Sequence, residues 1–79
     1  MNTNSAAVEA IARAGGVARL ARALLPESHT DDDFRRMQHR ISKWRINGVA
    51  PKWVLAVERA TQVSRHELSP ELYPQGQAA

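Results

Sequence analysis

Residues 30–48 read Thr30-Asp31-Asp32-Asp33-Phe34-Arg35-Arg36-Met37-Gln38-His39-Arg40-Ile41-Ser42-Lys43-Trp44-Arg45-Ile46-Asn47-Gly48, one helix with both ends marked. Thr30 is a capping residue, and Asp33 three positions on completes a weaker form of the capping box, which normally uses Glu or Gln. Asp31, Asp32 and Asp33 fall in the first turn, where negative charge complements the helix dipole. Phe34, Met37, Ile41 and Trp44 recur at helical spacing and form a narrow apolar seam. At about 100° per residue, the opposite face carries Arg35, Arg36, His39, Ser42, Lys43 and Ile46. Asn47-Gly48 ends the helix, with Lys43 and Arg45 near its negative end.

Working outward from this helix, strand signals are scarce and helical spacing continues. Upstream, Val17–Leu24 predicts a helix with Val17, Leu20, Ala21 and Leu24 on one face and Arg19 and Arg22 off it. Pro26 ends it, because proline disfavours helical geometry in the residue before it. Residues 25–29 then read as a loop. Ser5–Ala14 predicts the first helix, capped by Asn4 or Ser5, with Val8, Ile11 and Ala12 as its stripe and Gly15-Gly16 as its stop. Downstream, Pro51 opens a helix running to about Thr61, since its missing N–H costs nothing at a first helical position. Val54, Leu55, Val57 and Ala60 are expected to line its buried side. Ser64-Arg65-His66-Glu67 reads as a capping box for a short last turn holding Leu68.

The chain has 79 residues, 43% of them hydrophobic and 24% charged, which suits one small globular domain. That domain is expected to span residues 1–74, with 75–79 as a disordered tail. So small a core favours association, and a homodimer is expected. Cysteine is absent, which removes disulfide scaffolds, thiolate zinc sites and cysteine nucleophiles. No apolar run is long enough to span a membrane and no signal peptide is evident, so the expected location is cytoplasmic.

The net charge of +3 is unevenly spread. Residues 1–33 balance to −2 and residues 54–79 to −1, whereas residues 34–53 carry six cations and no acid. A plain solvated face usually mixes signs, so this stretch points to a polyanion, most often nucleic acid.

Catalytic readings fail on spacing. His29, His39 and His66 include no pair at the i, i+4 spacing of helical metal ligands. The adjacent aspartates point in different directions and read as a dipole cap. Ser42 and His39 lie one turn apart but lack an orienting acid and an oxyanion hole. Gly15-Gly16 is not a phosphate loop. No enzyme, metal or cofactor is therefore expected.

Groove reading fits better. The major groove of B-DNA admits one α-helix, which needs an apolar seam behind it and polar groups in front. Lys43 can donate to guanine, Gln38 can pair with adenine, and His39 and Ser42 can bond to either type of edge, while Ile46 suits a thymine methyl. Arg19, Arg35, Arg36, Arg40, Arg45, Asn47 and Lys52 suit phosphate oxygens, which position without specifying. Phe34, Met37, Ile41 and Trp44 are expected to be core only. Trp53 and Tyr73 are expected to pack or anchor a dimer, and Arg13, Arg22 and Arg59 to be solvated.

Three segments are familiar together: Ala14-Gly15-Gly16-Val17-Ala18-Arg19-Leu20-Ala21-Arg22-Ala23-Leu24, Arg40-Ile41-Ser42-Lys43-Trp44-Arg45 and Gly48-Val49-Ala50-Pro51. With Val54–Thr61 and Ser64–Pro74, they resemble the Cro-like regulators of the YdaS type, small helix-turn-helix proteins of phages and prophages. The resemblance implies an all-α, five-helix domain of the lambda-repressor kind, acting as a transcriptional regulator, usually a repressor. Some such regulators are described as antitoxins, which implies a possible toxin-like protein partner. The departure is local: about ten extra residues separate Ala21 from Ile41 and the turn glycine is missing, so the third helix is lengthened at its N-terminus. Ala18 also replaces the polar residue common near the start of the second helix, which removes one phosphate contact. The acidic turn is then expected to project beyond the DNA, with Gln38, His39, Ser42 and Lys43 in the groove. The competing hypothesis is a helical interaction module whose basic helix docks an acidic protein.

Overall fold

The computed structural model describes residues 4–74. Among them are five α-helices and no strand: α1 Ser5–Ala14, α2 Val17–Leu24, α3 Asp31–Asn47, α4 Val54–Thr61 and α5 Arg65–Leu68, with a 3₁₀ turn Pro51–Trp53 before α4. The domain is all-α, with α2, a six-residue connection and the lengthened α3 in place of a tight helix-turn-helix. The tail expected at residues 75–79 lies outside the described residues. No described helix is long and apolar enough to cross a membrane.

The capping chemistry of α3 is present in full. The Asp33 backbone N–H donates to the Thr30 hydroxyl at 3.0 Å, and the Thr30 N–H donates to the Asp33 carboxylate at 3.1 Å. The backbone N–H of Thr30, then its hydroxyl, hold the Asp33 carboxyl below its ordinary value of 3.8, with Arg36 and His29 adding to the effect. A depressed folded value means that the cap stabilises fully above the ordinary carboxylate range and is lost as pH falls through the folded value. Thr30→Ala removes an N-cap hydroxyl, a loss that typically costs about 1 kcal/mol. It should also flatten the acid side of a plot of Tm against pH; an unchanged acid limb would show that the cap contributes nothing there.

Behind α3, Met37, Ile41 and Trp44 are buried, while Phe34 is only half-buried. Phe34 is thus a correction to the expected four-residue core seam. It packs against the edge of the core and is covered by Arg22, whose guanidinium carbon lies 4.9 Å from the ring centroid. His29 flanks the same ring and turns its Nδ1 to the Pro26 carbonyl oxygen at 2.7 Å, so the connection closes on itself. Leu20 and Ala21 of α2 are fully buried in the core cluster with Ile41, and α2 packs more extensively on α3 than on any other element.

Burial on the short helices departs from expectation. On α1 the buried residues are Ala7, Ala10 and Ile11, while Val8 and Ala12 are exposed. Small side chains let α1 pack closely against its neighbours, and the larger Val8 is left outside. On α4 the buried residues are Val54, Val57 and Thr61, while Leu55 and Ala60 are exposed. Thr61 is tolerated because its hydroxyl donates to the Val57 carbonyl oxygen at 2.8 Å and accepts from the Val63 N–H at 3.3 Å. Pro51 begins a 3₁₀ turn rather than α4 itself.

The capping box expected at Ser64–Glu67 is not formed: the Ser64 hydroxyl caps α5 by accepting from the His66 N–H at 3.1 Å, one residue short of Glu67. The free Arg65 N–H at the first position of α5 donates to the Glu58 carboxylate of α4, at 2.9 Å. Beyond α5 the chain folds back, with His66 Nδ1 against the Tyr73 carbonyl oxygen at 2.8 Å and Arg65 over the Tyr73 ring.

Both ends of α3 are tied down. At its C-terminus the Asn4 N–H donates to the Arg45 carbonyl oxygen at 2.6 Å, and the Asn4 side chain caps α1. Gly48, at φ +85°, turns the chain out of α3, and a Cβ there would lie 2.9 Å from Asn4 Nδ2. The start of α1 is therefore joined to the end of α3 through a position that only glycine fills without displacement.

Candidate nucleic-acid interface

With its seam against the core, α3 leaves a ridge of 17 residues, about 25 Å long at 1.5 Å per residue. Side chains four apart stand one above another on a helix. Three such columns face outward. Gln38, Ser42 and Ile46 form one, Arg35, His39, Lys43 and Asn47 the next, and Arg36 and Arg40 the third. All are exposed except Gln38, which is half-buried at the edge of the seam.

The two basic columns enclose a shallow depression lined by Arg35, Arg36, His39, Arg40 and Lys43. Two of the four expected base readers, His39 and Lys43, therefore share a concavity with three expected phosphate contacts. Ser42 stands free on the neighbouring column. Gln38 has the least of its side chain clear of the core, so its reach toward a groove is the shortest of the four.

The expected backbone contacts separate into groups. Arg36 pairs with Asp32 at 2.9 Å and Arg35 lies 3.7 Å from the same carboxylate. Both pairs are well exposed and weak, yet a phosphate must compete with Asp32 for these two cations. The acidic turn and its neighbouring arginines thus neutralise one another. Among the described residues, Arg40, Lys43, Arg45 and Lys52 form no ion pair and make a run of unpaired positive charge from the middle of α3 to the 3₁₀ turn; Arg19 on α2 is unpaired as well. Arg45 and Asn47 are exposed near the end of α3. Arg19 is exposed on α2, its stem lying across Gly15, where a Cβ would meet Arg19 Cδ at 2.7 Å.

Away from this face, Arg13 pairs with Glu9 at 2.7 Å across one turn of α1. Sequence reasoning missed the surroundings of Trp53. The ring is half-buried against the core, and two cations approach it: the Arg40 guanidinium carbon at 5.9 Å and Lys52 Nζ at 6.0 Å from the centroid. Only the i, i+1 pairing of Lys52 with Trp53 was visible in the chain; the approach of Arg40 is a tertiary contact with no local signal.

Chemically, the face offers a positively charged concavity with neutral donors and acceptors beside it, at the width of one helix. Among the described residues no three His, Asp or Glu side chains gather as a metal set. No protein-family model, curated protein or solved structure matches the chain.

Proposed function

We propose that this chain binds double-stranded DNA in a sequence-specific manner and regulates transcription, as a repressor of the phage or prophage type. In this reading α3 enters the major groove, Lys43, His39 and Ser42 read base edges with Gln38 at the margin, and Arg40, Lys52, Arg45, Asn47 and Arg19 hold phosphates. Arg35 and Arg36 join them only by exchanging Asp32 for a phosphate. Two copies of the chain bind half-sites about one helical turn apart. The observation that supports this most is the run of cations without ion pairs, Arg40, Lys43, Arg45 and Lys52, carried by a helix whose opposite side buries Met37, Ile41 and Trp44, and by the 3₁₀ turn that follows it. The resemblance of the Arg40–Arg45 and Gly48–Pro51 segments to YdaS-type regulators supports the regulatory role.

Lys52 tests the phosphate half of this reading. It stands off the groove-facing columns, so Lys52→Ala should weaken binding to every duplex by a similar factor and lower the slope of log K against log salt by about 1. Fluorescence anisotropy on several unrelated duplexes at a series of salt concentrations measures both. A loss confined to one sequence would remove Lys52 from the phosphate contacts, and no binding of the unmodified protein at low salt would remove DNA as the ligand. In that case an acidic protein becomes the partner to seek.

A further inference from the structure

Arg40 and Lys52 come from different elements, α3 and the 3₁₀ turn, and nothing acidic holds either of them among the described residues. What they share is the Trp53 ring, which each approaches at about the 6 Å limit for a cation over an aromatic ring. The nearest carboxylate in the hollow beside Trp53 is Asp33, which is engaged by Thr30. Arg36 lines the same hollow and carries the positive strip on from Arg40. The ring is a costly choice for packing alone, because its Nε1 is buried with no acceptor among the described residues. Leucine or phenylalanine would fill the core side without that cost.

We propose that Trp53 is a positioning residue for a two-cation clip, in which Arg40 and Lys52 are held against the ring so that together they grip two neighbouring backbone phosphates of duplex DNA. The proposal rests on the DNA-binding reading above and adds to it a specific task for a residue that touches no base. Long, flexible cations lose rotamer entropy when they bind a phosphate. A ring that already confines both removes part of that loss before the DNA arrives.

The test is binding of a random-sequence duplex, read by anisotropy across a salt series, for the unmodified protein and for Trp53→Leu, Trp53→Phe, Arg40→Ala and Lys52→Ala. Circular dichroism and tryptophan fluorescence, which comes from Trp44 alone in the two Trp53 variants, confirm that each variant is folded. Arg40→Ala and Lys52→Ala remove charge and should each lower the salt slope by about 1. Trp53→Leu leaves both charges in place and should weaken binding about three- to fivefold with little change in slope. Trp53→Phe keeps a ring face and should recover most of that loss. Binding by folded Trp53→Leu equal to that of the unmodified protein overturns the clip while leaving DNA binding intact. A Phe variant as weak as the Leu variant also overturns it, since the ring face is then not what matters. If the unmodified protein binds no duplex at low salt, the clip and the DNA reading fail together.

Discussion

Ile41→Ala should remove a large part of the stability of the whole domain. Ile41 is fully buried, at 0% exposure, midway along the seam of α3. Cutting a buried isoleucine to alanine costs about 2–5 kcal/mol, from lost transfer energy and from the cavity left behind. A chain of 79 residues has roughly 4–12 kcal/mol in total, at about 0.05–0.15 kcal/mol per residue. Ile41 shares one buried cluster with Leu20 and Ala21 of α2 and with Trp44 of α3, so the cavity would open inside the core. Urea unfolding followed by the fluorescence of the two tryptophans, Trp44 and Trp53, should show a much lower midpoint at an unchanged m-value. Ile46→Ala is the control, because Ile46 is 65% exposed on the outer face and its loss should change stability by less than about 0.5 kcal/mol. Equal effects of the two substitutions would mean that α3 does not rest on this seam.

The second large effect is on recognition. Lys43 is exposed, unpaired, and shares the depression on α3 with Arg35, Arg36, His39 and Arg40. A lysine that donates to guanine in the groove carries about 1–3 kcal/mol of discrimination against the wrong base. Lys43→Ala should therefore relax the preference at one base position by roughly 5- to 150-fold while leaving the rest of the site readable. Lys52→Ala should shift all sequences together, and this contrast separates reading from holding. If Lys43→Ala merely weakens every duplex alike, Lys43 is a phosphate contact and the groove-facing columns have been assigned in the wrong rotation.

The helix ends were legible because their chemistry is local. Thr30 with Asp33, Gly15 after α1 and Gly48 after α3 each act within a few residues, and α1, α2 and α3 run between the boundaries that those residues mark. The buried faces of α1 and α4 were less so. Over 8 to 10 residues a periodic pattern does not say which side meets the core. Ranking by hydrophobicity selects Val8 and Leu55, whereas close packing selects Ala7 and Ala10, and a backbone hydrogen bond makes room for Thr61. The split capping of α5 depends on Glu58, which reaches it from the preceding helix.

In the candidate site, the outer columns of α3 follow from spacing alone once the seam is known. The competition between Asp32 and a phosphate for Arg35 and Arg36 was open to the same reasoning, through their i+3 and i+4 spacing. The meeting of Arg40, Lys52 and Trp53 was not, because it joins two elements whose separation in space is set only by the tertiary packing.

The most direct test of the central claim is selection and sequencing of duplexes bound by the unmodified protein from a random pool, at two salt concentrations. The expected result is an enriched motif with two-fold symmetry, its half-sites about one helical turn apart, and affinity that falls steeply as salt rises. Retention at low salt with no enriched motif would contradict it, leaving a charged surface that does not read sequence.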